Sequence, residues 1–246
     1  MTGLDRRPVR RVQRRAGEEL PTGWPYDLPP VRQLLRDGLD LPEGVTFLVG
    51  ENGSGKSTLV EALAMAYGLN AEGGSRGAQL STRRSESDLS DHLQLVRGID
   101  APRWSFFLRA ETMHGLYTYL EANPGKRDPA FHEMSHGEGF FEVLLTRFDS
   151  AGFYVLDEPE SALSFSSSLA LVGVLAELVE KGSQVVCATH SPLLCALPGA
   201  TILELDDQGY HEAAWEELEI VDHWRRYLGD PGAYLRHILP NERSGR

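Results

Sequence analysis

The chain has 246 residues, a formal net charge of −12 and two cysteines. Its 41 % hydrophobic and 24 % charged residues are typical of a globular protein, and its length predicts one large α/β domain or two small ones with a sizeable buried core. No apolar run reaches about eighteen residues, so the sequence predicts no transmembrane helix. The basic N-terminus lacks the apolar stretch of a secretory signal, and we expect a cytoplasmic protein with reduced thiols.

Charge is unevenly distributed along the chain. Residues 1–16 contain six arginines and one aspartate, a local charge of +5, and the other 230 residues therefore carry −17. The strong negative charge of these 230 residues does not favour a nucleic-acid partner, because phosphate binding requires clustered lysine and arginine. We expect residues 1–20 to form a flexible basic leader and residues 21–246 a single domain. An arm that contacts nucleic acid or an acidic partner is the alternative for the leader.

The apolar pattern predicts alternating strands and helices. Four prolines in residues 21–31 indicate irregular chain. Short apolar runs predict buried strands at residues 46–49, 106–108, 153–156, 184–189 and 201–205. Helical spacing predicts helices at residues 56–67, 138–148, 166–181 and 215–239, the last interrupted near Gly229. Residues 70–103 indicate a mobile insertion and 121–135 irregular chain, so that 70–135 form a small insert or helical subregion. This alternation predicts a mostly parallel sheet flanked by helices.

A glycine-rich motif follows the first predicted strand. Residues 50–57, GENGSGKS, fit the pattern G-x-x-x-x-G-K-[ST], with a strand before and a helix after. Glycines let backbone N–H groups turn inward around phosphate oxygens, and the helix N-terminus favours the same anion. Lys56 is placed to reach the β- and γ-phosphates, and the Ser57 hydroxyl to ligate Mg²⁺. We therefore predict a nucleotide phosphate site formed by Glu51, Asn52, Gly53, Ser54, Gly55, Lys56, Ser57 and Thr58.

Polar residues follow two later predicted strands. Asp157 and Glu158 come directly after the apolar run 153–156, and ligands bind at the carboxyl ends of strands in open α/β sheets. Asp157 is predicted to hold Mg²⁺ and Glu158 to polarise an attacking water. On an extended strand end the two side chains diverge, so each can take one role. His190 follows the strand 184–189 and matches a γ-phosphate sensor in its order along the chain.

The segment Ser135-His136-Gly137-Glu138-Gly139 opens a predicted amphipathic helix. Serine and glycine at a helix start either cap the helix or present hydroxyl and N–H groups to a phosphate. The local residues leave both interpretations open.

Taken in order, GENGSGKS, SHGEG, YVLDEP, SALS and ATHSP resemble the Walker A, signature, Walker B, D-loop and switch-histidine elements of the ABC ATPase superfamily. The resemblance spans residues 24–205. It is closer to the compact "predicted ATPase" branch near the RecF, SMC and Rad50-like proteins than to transporter subunits, because GENGSGKSTLVEALA, LNAEGGS and FFLRAET resemble that branch. Two features depart from transporters: MSHGEG replaces LSGGQ, and Glu111 stands where they carry glutamine.

The resemblance implies an ATP-dependent homodimer in which two subunits enclose two ATP molecules. Ser135, Gly137 and Glu138 would then contact the partner's nucleotide, and residues 161–164 would lie at the seam. It implies that Glu158 and His190 are catalytic and that Ser57, Asp157 and Glu111 are Mg²⁺ ligands. How adenine is recognised stays open, with Trp24 and Tyr26 as candidates.

The function expected is an Mg²⁺-dependent ATPase that acts as a dimerisation switch with an unidentified protein partner, in DNA repair or defence. The alternatives are the nucleotide-binding subunit of an ABC transporter, an ATP-binding module without hydrolysis, and a kinase-type P-loop enzyme. The intact Glu158 and His190 oppose an ATP-binding module without hydrolysis. The order of the motifs opposes a kinase-type P-loop enzyme.

Overall fold

The computed structural model describes residues 5–17, 19–76, 78, 87–124, 131–134, 136–236 and 238–239. The strands in this part of the chain are β1 (Arg11–Arg14), β2 (Leu39–Asp40), β3 (Gly44–Gly50), β4 (Gly74–Ser75), β5 (Leu93–Val96), β6 (Trp104–Arg109), β7 (Gly152–Asp157), β8 (Gln184–Thr189), β9 (Thr201–Leu205) and β10 (Tyr210–Glu212). The α-helices are α1 (Pro29–Asp37), α2 (Lys56–Tyr67), α3 (Met113–Ala122), α4 (His136–Arg147), α5 (Phe165–Glu180), α6 (Pro192–Cys195), α7 (Glu219–Gly229) and α8 (Pro231–Leu235). Short 3-10 helices lie at Asp88–His92, Ala110–Thr112, Phe131–Glu133, Pro159–Ala162 and Trp215–Glu217.

The central sheet has seven strands in the order β10-β9-β3-β8-β7-β6-β4. Strands β9, β3, β8, β7 and β6 are parallel, and the two edge strands pair antiparallel. Residues of β3 alternate between two buried clusters, with Phe47 on one face of the sheet and Leu48 on the other. The mostly parallel sheet flanked by helices is therefore confirmed, and burial on both faces explains the continuous apolar runs of its strands.

The register of the sheet brings the predicted site residues to one edge. Val49 pairs with Thr189 across β3 and β8, and Asp157 pairs with Ala188 across β7 and β8. The segments that follow β3, β7 and β8 therefore leave the sheet side by side. Since all three strands are parallel, their carboxyl ends meet at that edge.

The expectation of a flexible leader at residues 1–20 is wrong for residues 5–17. Strand β1 pairs antiparallel with β2 and β5 in a second, three-stranded sheet, and Val9 and Val12 are buried. Four of the six arginines are exposed, and Arg11 Nη1 lies 2.6 Å from Asp40 Oδ2. The charge of the whole segment does not reveal the two valines, which are separated by two arginines.

Three further segments differ from the sequence expectations. Within residues 70–103 the chain forms β4 and β5, so the expectation of a mobile insertion is wrong there; residues 79–86 lie outside the described ranges. Helix α1 begins inside the proline-rich segment 21–31, with Pro29 and Pro30 in its first turn. Backbone N–H groups in the first turn have no acceptor within the helix, so proline, which lacks the N–H, is tolerated there. Helix α3 was not predicted from the sequence, whereas α2, β8 and β9 have the predicted bounds.

The side chain of Gln184 joins the two sheets. It is almost fully buried on β8, accepts from the Val9 backbone N–H at 2.9 Å, and donates to the carbonyls of Val9 and Pro42, both at 2.8 Å. The strand next to the site is thereby fixed to the segment that precedes β1. Within the described ranges, every helix is too short or too polar to cross a bilayer.

Replacing Gln184 by alanine is expected to destabilise the protein by about 1–3 kcal/mol, the cost of leaving buried polar groups without partners. The measurement is the midpoint of urea unfolding at an unchanged denaturant slope. Gln94→Ala is the control, because Gln94 is exposed and accepts only a 3.3 Å contact from Gln13. A destabilisation by Gln184→Ala no larger than that of Gln94→Ala would contradict this role.

Candidate active site

The glycine-rich loop connects β3 to α2 at the carboxyl edge of the sheet. Gly50 has a φ of +155°, and a Cβ there would lie 2.4 Å from the carbonyl oxygen of Leu205. Gly55 precedes the first residue of α2 in the left-handed conformation, with φ +97°. Both positions require glycine. The loop is followed directly by the N-terminus of the twelve-residue helix α2. Free backbone N–H groups at a helix N-terminus bind anions.

The ammonium group of Lys56 lies inside this loop. Its Nζ donates to the carbonyl oxygens of Gly50 and Glu51, both at 2.9 Å, and the residue is 3 % exposed. Burial lowers the pKa of Lys56, and the carboxylates of Glu158 and Asp157 act in the opposite direction. The loop therefore holds a buried cation before any ligand binds, with Glu51, Asn52 and Gly53 exposed around it and Ser54, Ser57 and Thr58 partly buried.

Asp157 is the buried carboxylate of the site. Burial raises the pKa of Asp157, whereas the Ser57 hydroxyl and the Arg109 guanidinium lower it. Its Oδ1 is buried and has no hydrogen-bond partner among the described residues. An unpaired carboxylate oxygen beside a serine hydroxyl is a donor set that suits Mg²⁺. The pair Ser57 and Asp157, predicted from sequence, thus fits a divalent cation.

Glu158 lies next to His190. Its Oε1 is 3.2 Å from His190 Nε2, and its backbone N–H donates to Ala188 O at 2.9 Å. The expectation of an extended conformation at Glu158 is wrong: φ is +48° and ψ +50°, in the left-handed region. This backbone turn separates Glu158 from the buried Asp157 and leaves the Glu158 side chain partly exposed, facing the histidine.

Glu160 fixes the position of the histidine, a role that the sequence reasoning missed. Its Oε1 accepts from Thr189 Oγ1 at 2.7 Å and from the His190 backbone N–H at 2.5 Å. Thr189 Oγ1 also accepts from the Ser191 backbone N–H at 3.0 Å. The signal in the sequence was a third acidic residue within two positions of Glu158.

Arg109 is a second residue that the sequence reasoning missed. Its guanidinium contacts Glu61 at 2.7 Å, Asp157 at 3.3 Å and Glu111 at 3.6 Å. The structure thus connects Glu111 to the site through Arg109, and the Glu111 side chain is 82 % exposed. Glu111 as a metal ligand stays a prediction.

The described part of the predicted signature segment lies at the start of α4. Ser135 is outside the described residues; Gly137 and Glu138 are in the first turn of α4. A Cβ on Gly137 would lie 3.2 Å from the carbonyl oxygen of Ala162, so α4 begins beside the 3-10 helix that follows Glu158. Glu138 is exposed. The part of these residues in a partner's site stays a prediction.

A groove of about 1220 Å³ borders the loop on the side of His190. Aromatic side chains of α7 and α8 form one wall, among them Trp224, Tyr227 and Tyr234. The two aromatic residues considered for adenine do not line this groove: Trp24 is exposed, and Tyr26 is buried with its hydroxyl donating to Asp88 Oδ1 at 2.6 Å.

The sequence of the chain is similar to those of known ATP-binding proteins. Residues 33–108 match a family described as "AAA domain", and residues 80–196 one described as "AAA domain, putative AbiEii toxin, Type IV TA system". The cytochrome c biogenesis ATP-binding export protein CcmA of Rhodospirillum rubrum is 30 % identical over 67 % of this chain and 75 % of its own length. The chain belongs to the ABC/AAA class of P-loop ATPases. In this ABC/AAA-type ATP-binding domain the glycine-rich loop, Asp157, Glu158 and His190 lie at one edge of the sheet.

One sequence relative is much larger than this chain. The ATP-dependent permease PDR12 of Saccharomyces cerevisiae is 26 % identical over 75 % of this chain, which spans 13 % of the permease.

Among solved structures, the SMC head domain from Thermotoga maritima aligns over 72 % of this chain and 92 % of its own, at 16 % identity and a TM-score of 0.39. The cbiO1 protein from Clostridium perfringens aligns over 82 % of this chain and 90 % of its own, at 17 % identity and a TM-score of 0.44.

Lys56→Ala is expected to weaken ATP binding by roughly one to two decades, since the loss of a charge-assisted contact costs about 1.5–3 kcal/mol. Calorimetric titration with ATP and Mg²⁺ measures the effect. Lys181→Ala is the control, because Lys181 lies at the surface, 3.7 Å from Glu177. Equal ATP affinities of the two variants would contradict the assignment of the loop.

Proposed function

We propose that the chain is an Mg²⁺-dependent ATPase that dimerises on ATP and separates after hydrolysis. The observation that carries this proposal is the proximity of two side chains at the carboxyl edge of the sheet: Glu158 Oε1 lies 3.2 Å from His190 Nε2, beside a loop with a buried lysine. A loop that only bound nucleotide would need no carboxylate and imidazole beside it. Phosphoryl transfer asks a protein chiefly to position water and to stabilise negative charge, and these residues are suited to both.

The phosphate loop binds the substrate by exchanging partners. Lys56 Nζ now donates to the carbonyls of Gly50 and Glu51, and on ATP binding it donates to β- and γ-phosphate oxygens instead. The N–H groups at the start of α2 face the same phosphates. Ser57 and Asp157 would hold Mg²⁺, which neutralises charge on the β- and γ-phosphates when bound.

Glu158 is the residue that orients the attacking water. Its carboxylate is partly exposed and adjoins the imidazole of His190, so the two side chains would act together on a γ-phosphate bound beside them. Glu160 holds the backbone N–H of His190 and thereby sets the position of the ring. His190 then donates to the γ-phosphate or to the water.

The proposed dimer places the start of α4 against the partner subunit. Gly137 and Glu138 are in the first turn of α4, and in the proposed dimer they would contact the nucleotide of the partner subunit. The segment 161–164 adjoins Glu158, since Ser161 Oγ donates to the Glu158 carbonyl at 2.9 Å. Contact across the seam would thus reach the backbone of Glu158 through one hydrogen bond.

Two biological settings have specific support. The match of residues 80–196 to a toxin–antitoxin family favours defence, with an unidentified protein partner. The 30 % identity to an export ATP-binding protein favours the alternative, a transporter subunit. Purification from its native source with a membrane protein would favour the transporter, and purification with a non-membrane partner the switch.

Glu158→Gln is expected to keep nucleotide binding and to lower turnover by roughly two to four decades, the range for loss of a positioned base. Phosphate release per folded molecule, with ATP affinity measured in parallel, separates the two effects. His190→Ala is expected to act in the same direction.

Glu180→Gln serves as the matched control, because Glu180 is an exposed carboxylate at the end of α5. It should hydrolyse ATP at the parent rate. If Glu158→Gln also does so, Glu158 is not the catalytic carboxylate and the proposed mechanism fails.

With ATP and Mg²⁺, Glu158→Gln is expected to be a dimer in light scattering, because the closed state forms and hydrolysis does not open it. Without nucleotide we expect a monomer. The double variant Lys56→Ala/Glu158→Gln, which binds ATP weakly, should remain monomeric under both conditions. A monomeric Glu158→Gln in saturating ATP would contradict the dimerisation switch.

A further inference from the structure

Arg109 occupies a central place among the acidic residues of the site. It ends strand β6, and its guanidinium contacts carboxylates from three different segments. Nη1 lies 2.7 Å from Glu61 Oε2 on α2, Nε 3.3 Å from Asp157 Oδ2 at the end of β7, and Nη2 3.6 Å from Glu111 Oε2. The Arg109, Glu61 and Asp157 side chains are 19 %, 13 % and 5 % exposed, so these contacts are largely shielded from solvent.

The contact with Asp157 distinguishes its two carboxylate oxygens. Arg109 Nε lies 3.3 Å from Oδ2 as an ion pair without a hydrogen bond, whereas Oδ1 is buried and has no hydrogen-bond partner among the described residues. A buried, unpaired carboxylate oxygen is costly unless a ligand completes it. Arg109 therefore fixes the carboxylate in the orientation that leaves one oxygen available to a cation.

The contact between Arg109 and Glu61 also positions Ser57, the second proposed Mg²⁺ ligand. Ser57 and Glu61 are four residues apart on α2 and therefore lie on one face of the helix, one turn from each other. Arg109 consequently ties the helix face that carries Ser57 to the strand end that carries Asp157. The carboxylates of Glu61, Asp157 and Glu111 outnumber the nearby cations of Arg109 and Lys56, and the remaining negative charge favours a divalent cation.

We propose that Arg109 is a positioning residue that holds Ser57 and Asp157 at the separation and orientation required for Mg²⁺. The inference rests on the proposed Mg²⁺–ATP function and assigns its metal dependence to an arginine that touches neither metal nor nucleotide. Arginine suits this role because its planar fork presents donors in several directions at once, whereas the lysine ammonium is a single point of charge.

The test is the Mg²⁺ dependence of ATP binding, measured by calorimetry at a series of free Mg²⁺ concentrations and in EDTA. For Arg109→Met we expect the half-saturating Mg²⁺ concentration to rise about 10–100-fold, the usual effect of removing a partner of a metal ligand. ATP affinity in EDTA should equal that of the parent protein, because the phosphate loop is intact. Arg109→Lys should give a smaller rise, since it keeps the charge without the fork.

Arg7→Met is the matched control. Arg7 is also partly buried and doubly engaged, with Asp5 Oδ2 at 2.7 Å and the Leu41 carbonyl at 2.9 Å, but it lies next to the small sheet. We expect this variant to lower thermal stability and to leave the Mg²⁺ response unchanged. A structural role for Arg109 alone would give the same pattern in Arg109→Met.

The proposal is overturned if Arg109→Met keeps the parent half-saturating Mg²⁺ concentration, or if it loses ATP affinity equally with Mg²⁺ and in EDTA. Should Arg109→Met not fold, Glu61→Gln carries the test: it removes the counter-charge on α2 and should shift the Mg²⁺ response in the same direction. An unshifted response in Glu61→Gln would then overturn it. Failure of the parent protein to bind ATP would instead refute the proposed function, so the two failures are distinguishable.

Discussion

The burial of one ammonium group at the phosphate loop is the constraint on which the site depends. A buried charge is tolerated only when it is hydrogen-bonded and compensated, and Lys56 meets both conditions through two backbone carbonyls and the carboxylates at the end of β7. This compensation requires β3 and β7 to end at the same level, on either side of β8. The parallel register of the sheet is therefore also the geometry of the active site.

The site contains groups that are unfavourable without a ligand. Asp157 Oδ1 is buried and has no hydrogen-bond partner in the described part of the chain, and Glu158 has a left-handed backbone that costs non-glycine residues on the order of 1–3 kcal/mol. Folding tolerates these local costs because the surrounding strands, fully buried on both faces, determine the backbone on either side. Binding of a cation and a nucleotide would pair the free groups, so the same features that reduce stability prepare the site for ligands.

Much of the fold and site followed from local sequence. Helix α2 has its predicted bounds because Gly55 and Gly68 flank it, and the buried strands were visible as apolar runs. The strand β1 was missed because it is specified by pairing with β5, about 80 residues away, and by Val9 and Val12 within an arginine-rich stretch. Arg109 and Glu160 were missed for a related reason. Their roles arise from neighbours brought together by the sheet, which no local pattern records.

The most direct measurement of the central claim is a crystal structure of the chain with ATP and Mg²⁺. The account predicts that Lys56 Nζ leaves the carbonyls of Gly50 and Glu51 and lies about 2.7–2.9 Å from β- and γ-phosphate oxygens, the distance of a charge-assisted hydrogen bond. A triphosphate bound elsewhere, for example along the aromatic wall of the groove, with Lys56 still on those carbonyls, would contradict it.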